Sequence, residues 1–398
     1  NFNLVLGMTS VKFEAEVSEW DDVHENYEQE DTWLPENIPF ETRKGDNGEI
    51  IFLMQTAQEV ATFRNLINDG STYVDEAGNE QLYCRASYEQ TADIDLTSVL
   101  GLNDTDGICW SGIGVSGGDS GNPHTFEGTY DGQNFTIKGL FIEKHYTSGL
   151  FYKIKNATIK NVKVEGEIKE SWSFYTGGVV GYATNSTITN CHFTGDISTH
   201  KERNSAEYVG GVVGYLENGT VVNCSYGGNI ADNEDMATIG GVVGYSNNNS
   251  KVYACYNYGN INGKSDYQYY GGVVGECYGE VIGCYNSETI SHSSSQAIGS
   301  IIGYIGSNAS VSYCYDFNTN TNTNTIGSGS GTTEYVENDV NASTAKGYMN
   351  YGLNQASVAY HYVDSDTDAY PLKVADGNAA DEEMAAPPTD TNADSNSN

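Results

Sequence analysis

Hydrophobic and polar positions repeat with a period of about thirty residues through the middle of the chain. Each unit opens with a glycine followed by glycine or serine, then two aliphatic residues, and continues to an apolar–x–x–Cys element. The openings are Gly177, Gly210, Gly240, Gly271 and Gly299, and the cysteines are Cys191, Cys224, Cys255, Cys284 and Cys314. A fixed period of this length predicts a solenoid in which each unit forms one coil.

The spacing inside each unit predicts a corner. Residues three apart on a straight strand point to opposite faces, yet the apolar residue and the cysteine are both of core type in every unit. We therefore place a corner at the residue before each cysteine. These residues are Asn190, Asn223, Ala254, Gly283 and Tyr313. Asn and Gly suit the left-handed backbone that a corner needs, whereas Ala and Tyr suit it less well.

We interpret the unit as three short strands with two fixed corners and one variable loop. The loop follows an isoleucine that recurs six residues past the cysteine, as in Ile197 and Ile230. Stacked coils would align the five cysteines inside the solenoid. Free thiols are favoured there because parallel Cβ directions suit a disulfide poorly. Cys84, Cys109 and Cys277 lie outside this ladder, and their pairing stays open.

A solenoid needs covers at its ends. Thr56 and Glu59 form a capping-box pattern that opens an amphipathic helix over 56–69. Tyrosines and leucines over 348–374 suggest a second cap. The predicted organisation is 1–22, the strands that end a preceding domain; 23–49, an acidic linker; 50–92, the N-terminal cap; 93–318, the β-helix; 319–347, an Asn/Thr/Gly/Ser-rich loop; 348–374, the C-terminal cap; and 375–398, a disordered acidic tail.

The composition excludes some classes of binding partner. The net charge of −36 opposes binding to nucleic acid or to anionic membranes. The sequence has no apolar stretch long enough to span a bilayer, and no motif that indicates a cofactor. It begins at Asn1 without the basic and apolar regions of a signal peptide, so we expect the numbering to start inside a longer polypeptide.

The repeats resemble the GLUG-motif proteins of bacterial cell surfaces, together with the upstream segments 110–114 and 126–140. This resemblance implies an all-β, right-handed parallel β-helix that is secreted or displayed at the outer membrane. Residues 1–22 are similar to the closing strands of fimbrillin-like domains from Bacteroidales. That similarity implies a fimbrium and adds pilus subunits to the expected partners, which are otherwise a glycan or a surface protein of host or microbe.

Several polar motifs have ordinary structural explanations. Asp93 and Asp95 would share one face of a strand and could hold calcium or act as acid and base, but we interpret them as structural. The histidines are scattered, and His24-Glu25 is not followed by the second histidine of a zinc protease. The Gly327–Gly331 run places a Ser only in what we interpret as flexible sequence.

Tyrosines are the best candidates for ligand contact. They recur at one position of the coils, at Tyr182, Tyr215, Tyr245 and Tyr304, with Glu276 in the remaining unit. A denser group adds Tyr258, Tyr267, Tyr269 and Tyr270. Tyrosine rings and hydroxyls suit sugars, although simple stacking between coils explains the same pattern.

These observations favour a non-enzymatic adhesin at the cell surface or on a pilus. A polysaccharide-degrading β-helix enzyme and a structural stalk are the alternatives.

Overall fold

The computed structural model describes residues 38–100, 109–114, 125–143, 148–171, 174–199, 207–233, 237–264, 268–292, 298–318, 324–338, 341–365, 372–380 and 383–387. The predicted segment 1–22 lies entirely outside these residues. Most of the acidic linker and part of each variable loop also lie outside them. No helix in the described ranges is both long and apolar enough to cross a membrane.

Parallel strands stack coil upon coil, as a parallel β-helix requires. The glycine-opening ladder contains Tyr175–Gly177, Glu207–Gly210, Ala237–Gly240, Tyr270–Gly271 and Ile298–Gly299. The tyrosine ladder contains Phe151–Lys155, Val180–Thr184, Val213–Glu217, Val243–Ser246, Val274–Cys277, Ile302–Ile305 and Ile326–Gly329. Aliphatic residues of both ladders, such as Val180 and Val213, are fully buried.

Two further ladders complete each coil and form one continuous sheet. The strands before the corner are Thr129–Asp131, Thr158–Lys160, Thr187–Thr189, Thr220–Val222, Lys251–Tyr253 and Glu280–Ile282. The strands after it are Ile94–Asp95, Thr136–Glu143, Lys163–Ser171, His192–Thr199, Ser225–Gly227, Asn229–Ala231, Tyr256–Asn257, Asn260–Gly263, Tyr285–Asn286 and Ile290–His292. Ser310–Asp316 and Thr332–Asn338 run through both positions. The coils that open at Gly177, Gly210, Gly240 and Gly271 therefore have four or five strands, where we expected three, and the coil that opens at Gly299 has the expected three.

The corner before each cysteine is confirmed. Its residue has a positive φ in every unit: 52° at Asn190, 50° at Asn223, 50° at Ala254, 62° at Gly283 and 53° at Tyr313. Each corner turns the chain so that the apolar residue and the cysteine both face the interior, where Ile188 and Cys191 are fully buried.

The cysteines form an interior ladder of free thiols, and Cys84, Cys109 and Cys277 are free as well. Rungs are linked by weak contacts, for example from the backbone N–H of Cys191 to Sγ of Cys224 over 3.4 Å. Burial raises the pKa of the Cys191 and Cys284 thiols, which suppresses the reactive thiolate.

Native protein should therefore leave the ladder thiols unmodified by Ellman's reagent. In the native protein Cys84 alone, which is half-buried, is expected to react, and to do so slowly. All eight cysteines should react in concentrated guanidinium. Peptide mass spectrometry identifies the modified sites, and a Cys84→Ser variant gives the baseline. Rapid native labelling of Cys224 would contradict a packed thiol ladder.

A helix covers the first coils. It spans Ala57–Asn68, and its capping box is confirmed: the Thr56 N–H donates to Glu59 Oε2 over 2.9 Å, and the Glu59 N–H donates to Thr56 Oγ1 over 3.3 Å. The antiparallel strands Thr42–Lys44 and Ile50–Met54 and the parallel strand Ser87–Gln90 continue the sheet beneath it. Short elements complete this end: Thr72–Val74, Glu80–Leu82, Tyr83–Arg85 and Leu96–Ser98.

The other end differs from the expected arrangement. Two strands, Ile326–Gly329 and Thr332–Asn338, add a coil where the sequence suggested a loose loop. The helix Ala342–Gln355 and the hairpin of Tyr360–Asp364 and Leu372–Asp376 pack against the outer side of several coils, in a second apolar cluster. This segment was expected over the end of the stack. Part of the expected acidic tail is also ordered, since the Ala385 N–H donates to the Gly347 carbonyl over 3.1 Å.

Candidate functional site

A ladder of half-buried tyrosines runs along one side of the coils. Parallel register aligns Tyr182, Tyr215 and Tyr245, followed by Glu276 and Tyr304. The Tyr182 and Tyr215 rings stack at 5.0 Å and 10°, and the Tyr215 and Tyr245 rings at 4.6 Å and 8°. The ladder spacing brings the rings together, because neighbouring parallel strands lie about 4.8 Å apart.

A second row of tyrosines interlocks with the first. Tyr175 and Tyr208 come from the glycine-opening ladder and lie parallel to each other at 6.3 Å. The Tyr175 ring lies 5.0 Å from Tyr182, and the Tyr208 ring lies 4.9 Å from Tyr245. These two residues were missed in the sequence, although both occur two positions before a unit's opening glycine. Tyr269 occupies the same position before Gly271, so the position is a repeat signal, although Thr238 and Ala297 interrupt it.

The far end of this surface contains a carboxyl group among aromatic rings. Tyr278 lies 5.5 Å from Tyr245 and 6.0 Å from Tyr304, and Tyr269 lies 4.7 Å from Tyr304. The Tyr278 hydroxyl donates to Glu276 Oε1 over 2.8 Å. Burial raises the pKa of Glu276, and this hydrogen bond opposes the rise. We call this surface the tyrosine face: Tyr175, Tyr182, Tyr208, Tyr215, Tyr245, Tyr269, Glu276, Tyr278 and Tyr304.

The hydroxyls of Tyr208 and Tyr245 remain protonated near neutral pH. Burial raises the pKa of Tyr208 to about 12, and burial is also the first cause of the raised pKa of Tyr245. The Tyr182 hydroxyl donates to Glu217 Oε2 over 2.5 Å, while the Lys153 ammonium lies 5.0 Å from the Tyr182 ring centre. The face therefore offers neutral hydroxyls beside scattered charges.

Two of the predicted contact residues do not join this surface. Tyr270 is fully buried, and its hydroxyl donates to Asp232 Oδ2 over 2.5 Å, so its prediction as a surface contact is wrong. Tyr258 lies between the strands Tyr256–Asn257 and Asn260–Gly263, after the cysteine corner, where its hydroxyl is 3.3 Å from Thr194 Oγ1. Tyr267 lies outside the described residues.

The paired aspartates serve local structure. Asp93 Oδ1 accepts from the Thr136 N–H over 2.8 Å, and Asp95 Oδ1 accepts from the Thr97 N–H over 3.0 Å. The hydrogen bonds that the Thr97 N–H and hydroxyl donate to Asp95 lower the pKa of that carboxyl. Within the described ranges, His, Cys, Asp and Glu side chains form no group of three that could hold a metal ion.

Comparison with known proteins identifies the repeat. The family model of the GLUG motif matches residues 173–198. No curated protein sequence matches the chain. A crystal structure from Bacteroides ovatus, of a protein provisionally named an immunoglobulin A1 protease, superposes with a TM-score of 0.54 at 19% identity, covering 82% of this chain and 93% of that one. A second structure, named IgA1 protease, has a TM-score of 0.40 at 19% identity and is covered over 21% of its length.

The prediction that the chain is not an enzyme is corrected by this comparison. The Bacteroides ovatus protein shares the fold and its name is that of a protease, so a β-helix of this kind does not by itself indicate a non-enzymatic protein. At 19% identity the likeness establishes the fold and leaves substrate and chemistry unassigned. The chain is a parallel β-helix that carries the GLUG motif.

Proposed function

We propose that this chain is a cell-surface protein that binds glycans through its tyrosine face. The observation behind the proposal is the continuous row of half-buried tyrosines contributed by successive coils. Contiguous apolar surface often marks a site of interaction with a partner or ligand. The GLUG motif supports the location, because the sequence resembles surface proteins in the same repeats.

Ring stacking decides how a ligand meets this surface. Tyr182, Tyr215 and Tyr245 cover one another's ring faces, so a ligand meets ring edges and a row of hydroxyls. Tyrosine hydroxyls both donate and accept hydrogen bonds, which suits sugar hydroxyls. Glu276 and Glu217 add acceptors. A glycan of repeating units fits a surface that repeats from coil to coil.

The setting in the cell follows from the same resemblance. We place the chain in an adhesin of the outer membrane or a fimbrium, with host or microbial glycans as its partners. Surface proteins and pilus subunits are further candidates for contact. The net charge of −36 favours neutral or cationic ligands over strongly acidic ones.

Removing two hydroxyls tests the proposal without disturbing the stack. The Tyr215→Phe/Tyr245→Phe variant should weaken glycan binding about tenfold, because each lost hydrogen bond contributes about 0.5–1.5 kcal/mol. A glycan array identifies a ligand, and calorimetry then measures its affinity for each variant. Tyr258→Phe is the matched control, since it removes a hydroxyl from a different ladder.

Other results would point elsewhere. Equal affinity of the double variant and Tyr258→Phe would remove the tyrosine face from the binding site. Release of shortened glycans would establish a degrading enzyme. Retention of a surface protein in place of every glycan would change the ligand class, and no retention at all would favour a stalk.

A further inference from the structure

A pocket of about 210 Å³ opens on the strands that follow the cysteine corners. Parallel register aligns Lys163, His192 and Ser225, which each come directly after a corner cysteine or its equivalent. Residues far apart in the sequence therefore meet as in-register neighbours. The pocket is lined by Lys163, Val164, Glu165, His192, Thr194, Ser225, Tyr256 and Tyr258.

His192 bridges a hydroxyl and an amide. Its Nδ1 lies 2.7 Å from Ser225 Oγ, and its Nε2 lies 3.0 Å from Asn190 Oδ1. A neutral imidazole donates from one nitrogen and accepts at the other. The amide oxygen can only accept, so the proton belongs on Nε2. Nδ1 is thereby left to accept the Ser225 hydroxyl proton.

The amide of Asn190 is held in this orientation by neighbouring corners. Its Nδ2 donates to Asn134 Oδ1 over 2.8 Å and to Asn161 Oδ1 over 2.9 Å. Its Oδ1 also accepts from Asn223 Nδ2 over 3.1 Å. These contacts direct the oxygen toward His192, so Asn190 is a positioning residue for the imidazole.

We propose that Ser225 is a nucleophile, with His192 as its base, and that this pocket hydrolyses short-chain O-acyl esters. A hydroxyl joined to an oriented imidazole is the arrangement that nucleophilic catalysis requires. Ser225 is only 2% exposed and is reached through a small pocket, so a short acyl group fits where a longer one does not. Esters are favoured over amides because a neutral amide stabilises the imidazolium less than a carboxylate does.

The reaction balances with water as the second reactant. Ser225 Oγ attacks the acyl carbon and its proton moves to His192 Nδ1; the ester C–O bond then breaks and the alcohol leaves with that proton. Water attacks the acyl-Ser225 ester in the same way, which releases the carboxylic acid and restores the serine hydroxyl. Lys163 lines the pocket and provides a positive charge that stabilises the oxyanion. Glu165 also lines the pocket, and its negative charge partly offsets that of Lys163.

The charge state of His192 predicts the pH dependence. Burial and the nearby Lys163 lower the pKa of His192 to about 4. Glu165, Tyr256 and Tyr258 are the other titratable groups lining the pocket. The base is protonated below this pKa, so hydrolysis should rise as the pH increases through about 4 and then stay level toward neutrality. A solvent-exposed histidine would instead give its rise near pH 6.5.

Hydrolysis of 4-nitrophenyl acetate by the full chain tests the nucleophile. Ser225→Ala should reduce the rate to the buffer level, and His192→Gln should lower it by about 100-fold or more. Ser312→Ala removes a coil serine from outside the pocket and should keep the parent rate. Denaturation midpoints show that each variant is folded. Equal rates for Ser225→Ala and the parent would overturn the proposal.

Covalent labelling gives a readout that does not depend on turnover. A fluorophosphonate probe should add to Ser225 in the parent, and slowly or not at all in His192→Gln. An adduct at another residue, or no adduct, would overturn the assignment. Neither result bears on glycan binding, which uses a different ladder.

The role of Asn190 has its own signature. Asn190→Asp places a carboxylate beside Nε2–H, which should raise the pKa of His192 and move the rise in rate to higher pH. Aspartate tolerates the left-handed corner. An unchanged pH profile would exclude Asn190 as the residue that positions His192.

Discussion

Replacing Gly195 with alanine should destabilise the coils around it by at least about 3 kcal/mol. Gly195 has a φ of 151°, and an added Cβ would lie 1.8 Å from the Gly166 carbonyl oxygen. The clashing atom belongs to the in-register strand of the preceding coil. It cannot move without disrupting the pairing of that coil with its neighbours. The backbone strain of the positive φ and the steric overlap of the added Cβ therefore both destabilise the alanine variant.

Gly78→Ala separates these two contributions. Gly78 also has a positive φ, 82°, but nothing lies within 4 Å of an added Cβ. This control should cost only about 1–2 kcal/mol, from backbone strain alone. Guanidinium denaturation followed by circular dichroism gives the comparison. Equal midpoints for the two variants would show that close packing of coils does not require glycine at 195.

Backbone pairing explains why corner positions could be predicted even where the residue was unfavourable. Ala254 adopts the left-handed backbone that was expected mainly of Asn and Gly. Its N–H donates to the Ile282 carbonyl over 3.1 Å, and in the coil before it the Asn223 N–H donates to the Tyr253 carbonyl over 3.1 Å. Two aligned neighbours thus determine its conformation. The period of the repeat therefore predicted the position of the corner better than the backbone propensity of the single residue there.

The tyrosine face was only partly predictable, because side-chain direction alternates along a strand. Tyr269 and Tyr270 are adjacent, so only one can face outward. Tyr269 contacts Tyr304, and Tyr270 is buried against Asp232. Counting tyrosines without this alternation put both on the surface. Applying the two-residue period from the following Gly271 would have separated them.

The His192–Ser225 pair escaped sequence reasoning for a different reason. No local motif joins residues that are far apart in the chain, and His192 has no motif partner in the nearby sequence. Alignment of Cys191 with Cys224 nevertheless places His192 beside Ser225. The register was therefore available from the repeat, whereas the orientation of Asn190 depends on amide contacts among four corners.

Phe63→Ala should remove about 3–5 kcal/mol from the first coils, the usual cost of a large buried cavity. Phe63 is a fully buried residue of the helix Ala57–Asn68, with its ring 4.2 Å from Tyr88 and 5.6 Å from Phe126. The helix covers the start of the stack, so its loosening exposes the first coil. Hydrogen exchange measures the loss strand by strand, together with the denaturation midpoint.

The strands that lose protection from hydrogen exchange show whether Phe63 stabilises only the covered end of the stack or the whole core. Stability in a stacked repeat is mostly a sum of local terms between neighbouring coils. Exchange should therefore quicken in Ser87–Gln90 and Thr129–Asp131, and change little in Glu280–Ile282. Gln58→Ala, at an exposed position of the same helix, should alter neither region. Equal loss of protection at both ends of the stack would mean that the coils unfold as one cooperative unit, and that the helix stabilises all of them.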